Sequence, residues 1–139
     1  MSTNKILIAA LAGGVVYFLL GFLFYGLLLM DFMKSNAGDM AALMKEPPTW
    51  WALILGNLSW GLMIAVIFGR WAGIKTFMTG LKAGAVIGIL AVLAFDLSMF
   101  GTMNGMNLTG VVVDVFVGTV MTAVTGGVVG WMLGRGEKA

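Results

Sequence analysis

Four long apolar runs, at about residues 6–30, 50–69, 77–100 and 108–133, constrain this chain more than any other feature. Crossing a hydrocarbon core of about 30 Å takes roughly 20 apolar residues at 1.5 Å of helical rise each. Each run has that length, and in lipid a spanning segment must satisfy its backbone polar groups internally, as a helix does. The fold class predicted is all-α: an integral membrane four-helix bundle forming a single transmembrane domain over residues 1–139. Composition closes the other routes. Apolar residues make up 60% of the chain and charged residues 10%, whereas a soluble domain carries about a quarter charged residues. Soluble enzymes, nucleic-acid binders and disordered tails are thereby excluded. There is no Cys and no His, which removes thiol nucleophiles, imidazole bases, haem ligands and Cys/His zinc sites together. No cofactor and no metal are expected. The first run is far longer than the roughly 7–15 apolar residues of a signal peptide, so it reads as a retained span.

Lys and Arg in the connecting segments set the orientation. With the N-terminus inside, Lys5, Arg70, Lys75, Lys82, Arg135 and Lys138 lie on the cytoplasmic side, against Lys34 and Lys45 outside. Acidic residues run the other way: Asp31, Asp39, Glu46, Asp96 and Asp114 fall in the outer half and Glu137 inside. Both termini are therefore expected in the cytoplasm. Trp50 and Trp51 suit the outer interfacial belt, and Trp71 and Trp131 the inner one.

The long connection between the first two spans carries Phe32, Met33, Met40, Leu43 and Met44 near helical spacing, with Pro47 and Pro48 as a stop. Ser35 or Asn36 can cap a short amphipathic segment at about residues 35–46, lying on the outer surface in contact with lipid. A Met-rich partner-binding patch is the alternative. Asn107 or Thr109 can cap the fourth span.

The spans also suggest an internal repeat. Ala12, Gly13, Val15, Leu19 and Phe24 align with Ala83, Gly84, Val86, Leu90 and Phe95; Asn57, Gly61, Ala65 and Gly69 align with Asp114, Gly118, Thr122 and Gly126. Two helical hairpins of like orientation are implied, as in parallel-repeat transporters. Small residues recur every four positions at Gly80, Gly84 and Gly88, and at Gly118, Thr122, Gly126, Gly130 and Gly134; Gly61 belongs to the matching row. Such GxxxG-type rows let backbones approach where lipid supplies no hydrophobic drive for association. They are predicted as packing seams inside the bundle, with a dimer seam as the alternative.

Each row, continued outward by steps of four, ends on a polar residue: Tyr25, Asn57, Asp96 and Asp114. At 1.5 Å per residue the four lie roughly 8–10 Å deep, at one level. An ionised Asp costs about 2.5–3.5 kcal/mol at mid-membrane and less near the interface, so both carboxyls are expected to face the bundle. If Asp96 and Asp114 approach each other, they are expected to share a proton at neutral pH. Tyr25 and Asn57 would complete the hydrogen bonds. Such a ring can lock helices together, or bind a proton, a cation or a cationic ligand in an outward-facing cleft. Paired carboxyls can also act as acid and base at the outer leaflet, but no nucleophile or phosphate-binding loop accompanies them, and the chain reads as a non-enzyme.

Phe24-Tyr25-Gly26 at the exit of the first span, Ala37-Gly38 in the outer segment, and a fourth span running from Asp114 to Gly126, Gly130 and Trp131 resemble a family of small bacterial four-span membrane proteins classed as a domain of unknown function. The resemblance implies a multi-pass protein of the bacterial cytoplasmic membrane and brings no activity or site. Small multidrug exporters look different, because they place a key Glu in the first span, whereas this chain has no acid before Asp31. The function read from the sequence is a helix-packing structural or accessory subunit, with the lipid bilayer and a homo-oligomer or larger membrane complex as partners. The alternative is a small transporter or permeation module using Asp96 and Asp114.

Overall fold

The computed structural model describes residues 1–136; Glu137 and Lys138, counted above with the inner charges, lie outside the described residues. Among the described residues, four helices are long and apolar enough to cross a membrane. The first is α1 (Thr3–Gly21), continued by a π-helical stretch over Phe22–Leu28. After a short α2 (Met30–Asn36) and a 3-10 turn over Gly38–Leu43 comes α3 (Trp50–Val66), which ends in π-helical turns over Ile67–Ala72. Helices α4 (Phe77–Thr102) and α5 (Leu108–Gly134) complete an all-α four-helix membrane bundle.

Local chemistry sets several of the ends. Ser2, Thr76 and Asn107 accept from the backbone N–H three residues ahead, satisfying one orphan donor each at the starts of α1, α4 and α5. Gly73 takes a left-handed φ of 62° and closes α3. Ser35 and Asn36 depart from the capping role predicted for them. Their side chains donate to the Phe32 carbonyl, at 2.8 and 2.9 Å, so they close α2 rather than open a helix. The helix has already begun at Met30, one residue before Asp31, whose charge suits a helix N-terminus.

The helices lie in the order α3, α1, α5, α4, each packed on the next, while α3 and α4 share no packed interface. Helix α5 is the most enclosed of the four. The glycine rows are consumed inside the chain. A Cβ on Gly80 would strike the Gly126 carbonyl, one on Gly84 the Thr122 carbonyl, and one on Gly130 or Gly134 the carbonyls of Thr76 or Lys75. Gly61 of α3 meets the backbone of Ala10 and Gly14 in the same manner. Backbones this close gain dispersion contacts that lipid tails cannot match.

The two hairpins, α1 with α3 and α4 with α5, are both formed, but they are not equivalent. The aligned repeat maps the Gly61–Gly14 contact onto Gly118 and Ala85, whereas Gly118 packs on Val92. The second hairpin is thus slipped by about two helical turns relative to the first. Helix α1 also packs on α5, while their counterparts α4 and α3 share no packed interface. The repeat therefore does not extend to a twofold-symmetric bundle.

The two ends of the bundle differ in packing. At the end carrying Lys5, Arg70, Lys75 and Arg135, here called the basic end, Ile6, Ala9, Ala10, Ile64, Ala65, Phe68, Val129 and Leu133 form a closed apolar cluster from α1, α3 and α5. Arg70 ties α3 to the chain start there by donating to Thr3 Oγ1 at 2.8 Å. The opposite, acidic end carries α2 and the α4–α5 loop, and it is open.

Candidate functional site

The α4–α5 register explains how two carboxyls come together. Antiparallel pairing sets Gly80 against Gly126, Gly84 against Thr122, and Val92 against Gly118. One further turn toward the acidic end brings Asp96 level with Asp114. Both line one half-open cavity of about 310 Å³, with their carboxyls within hydrogen-bond reach of each other. Asp96 is only 3% exposed, and its Oδ2 accepts from no N–H or hydroxyl among the described residues, its polar neighbour being the Asp114 carboxyl. A buried, unpaired carboxyl oxygen in an apolar setting is costly unless something else meets it.

Asp114 is held from the α1 side. The Tyr25 hydroxyl donates to its Oδ1 at 2.5 Å, bridging two helices that are distant in sequence. Tyr25 lies within the π-helical turns after Gly21, where the wider i→i+5 winding alters the phase of the preceding α-helical row. Asn57 is not part of this group. Its amide donates to the Leu53 carbonyl of its own helix at 2.6 Å, and its backbone carbonyl lies beside Gly14. The cause is the helix order: α3 flanks α1 on the far side from α4, so a polar residue at the right depth still faces the wrong neighbour.

The remaining wall is supplied by residues the depth argument does not reach. Met33, Met40 and Met44 come from the α2 region, Phe95 and Met99 from α4, and Met106 from the following loop. The amphipathic segment was expected to lay these methionines on lipid. Met33 and Met40, both half-buried, line the cavity together with Met44, which like Leu43 is exposed on its other side. Two contacts hold the segment over the loop. Asn107 donates through Nδ2 to Asn36 Oδ1 at 2.8 Å, and Gly38, at φ 52°, sits so close to Gly105 that a Cβ would strike the Gly105 carbonyl. A signal for part of this wall exists in the sequence: Met99 stands one turn beyond Asp96 and Gly110 one turn before Asp114.

Below the cavity the α1–α5 interface stays polar for some distance. Tyr17 of α1 packs against Trp60 of α3 with ring centroids 5.6 Å apart and reaches Thr122 of α5, and the hydroxyl of Thr125 is fully buried without a partner among the described residues. The closed cluster at the basic end then seals the bundle. The cavity itself lies at the acidic end.

Four apolar helices with a carboxyl pair held in a methionine-lined cavity define an all-α integral membrane protein with a built polar site. Within that class the chain belongs to the family described as predicted membrane protein (DUF2177), whose model matches residues 6–132. The family has no assigned activity. No curated protein matches the chain, and no solved structure does.

Proposed function

We propose that this protein is a small permeation module of the cytoplasmic membrane that takes a positively charged ligand at Asp96 and Asp114. The observation that carries the reading is the Asp96 carboxyl, nearly fully buried on the wall of a cavity beside a second carboxyl, with one oxygen that accepts from no N–H or hydroxyl among the described residues. A purely structural lock between helices is expected to satisfy its own polar atoms. The glycine rows that suggested a packing subunit meet partners within the chain, which leaves the cavity as the feature whose chemistry is unaccounted for. The excess of Lys and Arg at the basic end supports an orientation with that end and both termini in the cytoplasm and the cavity opening outward.

Reconstitution tests this directly. Vesicles containing the protein should show cation or proton flux above empty vesicles, and Asp96→Asn should lower the initial rate at least about tenfold, the size expected for losing a charge-assisted contact. Absent flux, or flux indifferent to Asp96→Asn and Asp114→Asn, overturns the reading.

A further inference from the structure

The cavity constrains what kind of cation it takes. We infer that the ligand is an amphipathic organic cation, with a charged centre set against Asp96 and an apolar body lying among Met33, Met40, Met44, Met99, Met106 and Phe95. The inference rests on the acidic-site reading above and narrows it.

Size is the first reason. A space of about 310 Å³ lies at the lower end of small-molecule sites, which run from roughly 300 Å³ upward; a bare metal ion would leave most of it empty. The donor set is the second. A hard cation such as Ca²⁺ asks for about 6–8 oxygens, but the two carboxyls supply only four, and one of these already accepts from Tyr25. The two asparagines on the wall are committed elsewhere. Asn107 Oδ1 accepts from the Gly110 N–H, Asn36 Oδ1 accepts from Asn107, and the Asn36 amide donates to the Phe32 carbonyl. The third reason is the wall itself. Methionine is flexible and polarizable and repacks around irregular apolar bodies, and five of the residues surrounding the carboxyl pair are methionines. Asp96, rather than Asp114, is the charge partner, because Asp114 already accepts from the Tyr25 hydroxyl while no N–H or hydroxyl among the described residues donates to Asp96 Oδ2.

Equilibrium binding to the full chain in nanodiscs tests the ligand class, with labelled tetraphenylphosphonium as the probe and triphenylphosphine oxide as its neutral comparator. Saturable binding of tetraphenylphosphonium above that of empty discs is expected, weakened at least tenfold by Asp96→Asn, with the neutral comparator not competing. Met99→Trp, which keeps both carboxyls and fills the cavity, should lower affinity to a similar extent; both variants are read only after they elute as monodisperse species with native helix content. If Ca²⁺ or Ag⁺ binds in an Asp96-dependent manner and tetraphenylphosphonium does not, the organic-cation inference is overturned while the acidic-site reading stands. If no probe shows dependence on Asp96, both fall.

Discussion

Gly80 and Gly56 both sit in membrane-spanning helices, yet their surroundings are opposite. A methyl group on Gly80 would collide with the Gly126 carbonyl, whereas nothing lies within 4 Å of the position a Cβ would take on Gly56. Gly80→Ala should therefore push α4 from α5 and destabilise the bundle by about 1–3 kcal/mol, the usual cost of overpacking. Gly56→Ala should be neutral or gain up to about 1 kcal/mol from helix propensity. Unfolding titrations of the two variants in mixed micelles check the contrast, and equal effects would argue against the close α4–α5 approach. The same reasoning applies to Asp96. Its place at the end of a four-step row is legible in the sequence, because Gly80, Gly84, Gly88 and Val92 already point one face of α4 at α5. Asn57 obeys the same spacing and still misses the site, since spacing along one helix says nothing about which helix it faces.

At the scale of elements, the segment between α1 and α3 is where sequence and structure part most clearly. Its methionines are spaced for an amphipathic surface helix, and an interface of lipid and a cavity wall are equally apolar to a periodicity argument. What sets Met33, Met40 and Met44 on the cavity wall is a pair of tertiary contacts, Asn36 with Asn107 and Gly38 with Gly105, between positions far apart in the chain. These contacts separate two roles of Asn107. Its Oδ1 caps α5 and its Nδ2 ties down α2. Asn36→Ala should remove the tie and leave the cap, so amide exchange is expected to quicken across residues 30–43 while the start of α5 stays protected. Asn107→Ala should lose both, with an additional cost of about 1 kcal/mol for the missing cap. Hydrogen exchange in detergent reads both outcomes, and unaltered exchange at residues 30–43 in Asn36→Ala would show that the segment is held by other means.

Over the whole molecule, the bundle is packed tightly at one end and left open at the other. Ile6, Ile64, Phe68, Val129 and Leu133 close the basic end, while the carboxyl pair and its methionine wall occupy the acidic end. The chain has no cysteine, so single introduced thiols report accessibility without background. Met44→Cys should react with an impermeant maleimide added outside intact cells, and Arg70→Cys only after permeabilisation. Leu133→Cys should stay unreactive in the folded protein in both conditions. Labelling of the first two from the same side would reverse or abolish the orientation proposed.

The sequence by itself determined that the chain is an all-α membrane protein of four spans, because the length and apolarity of each run leave a helix as the means of burying backbone polar groups in lipid. It also determined the direction in which α4 and α5 present their small residues, since a four-residue step keeps one face of a helix in line. The tertiary structure decided which helices are neighbours. The order α3, α1, α5, α4 placed Asn57 apart from the acids, slipped the second hairpin against the first, and made one end of the bundle a cavity. These are outcomes of how four rods pack, and small residues license close approach without naming the partner. The carboxyl pair is a joint product of the two levels, with its depth set by the position of each Asp in its span and its pairing by the register that the glycine contacts impose.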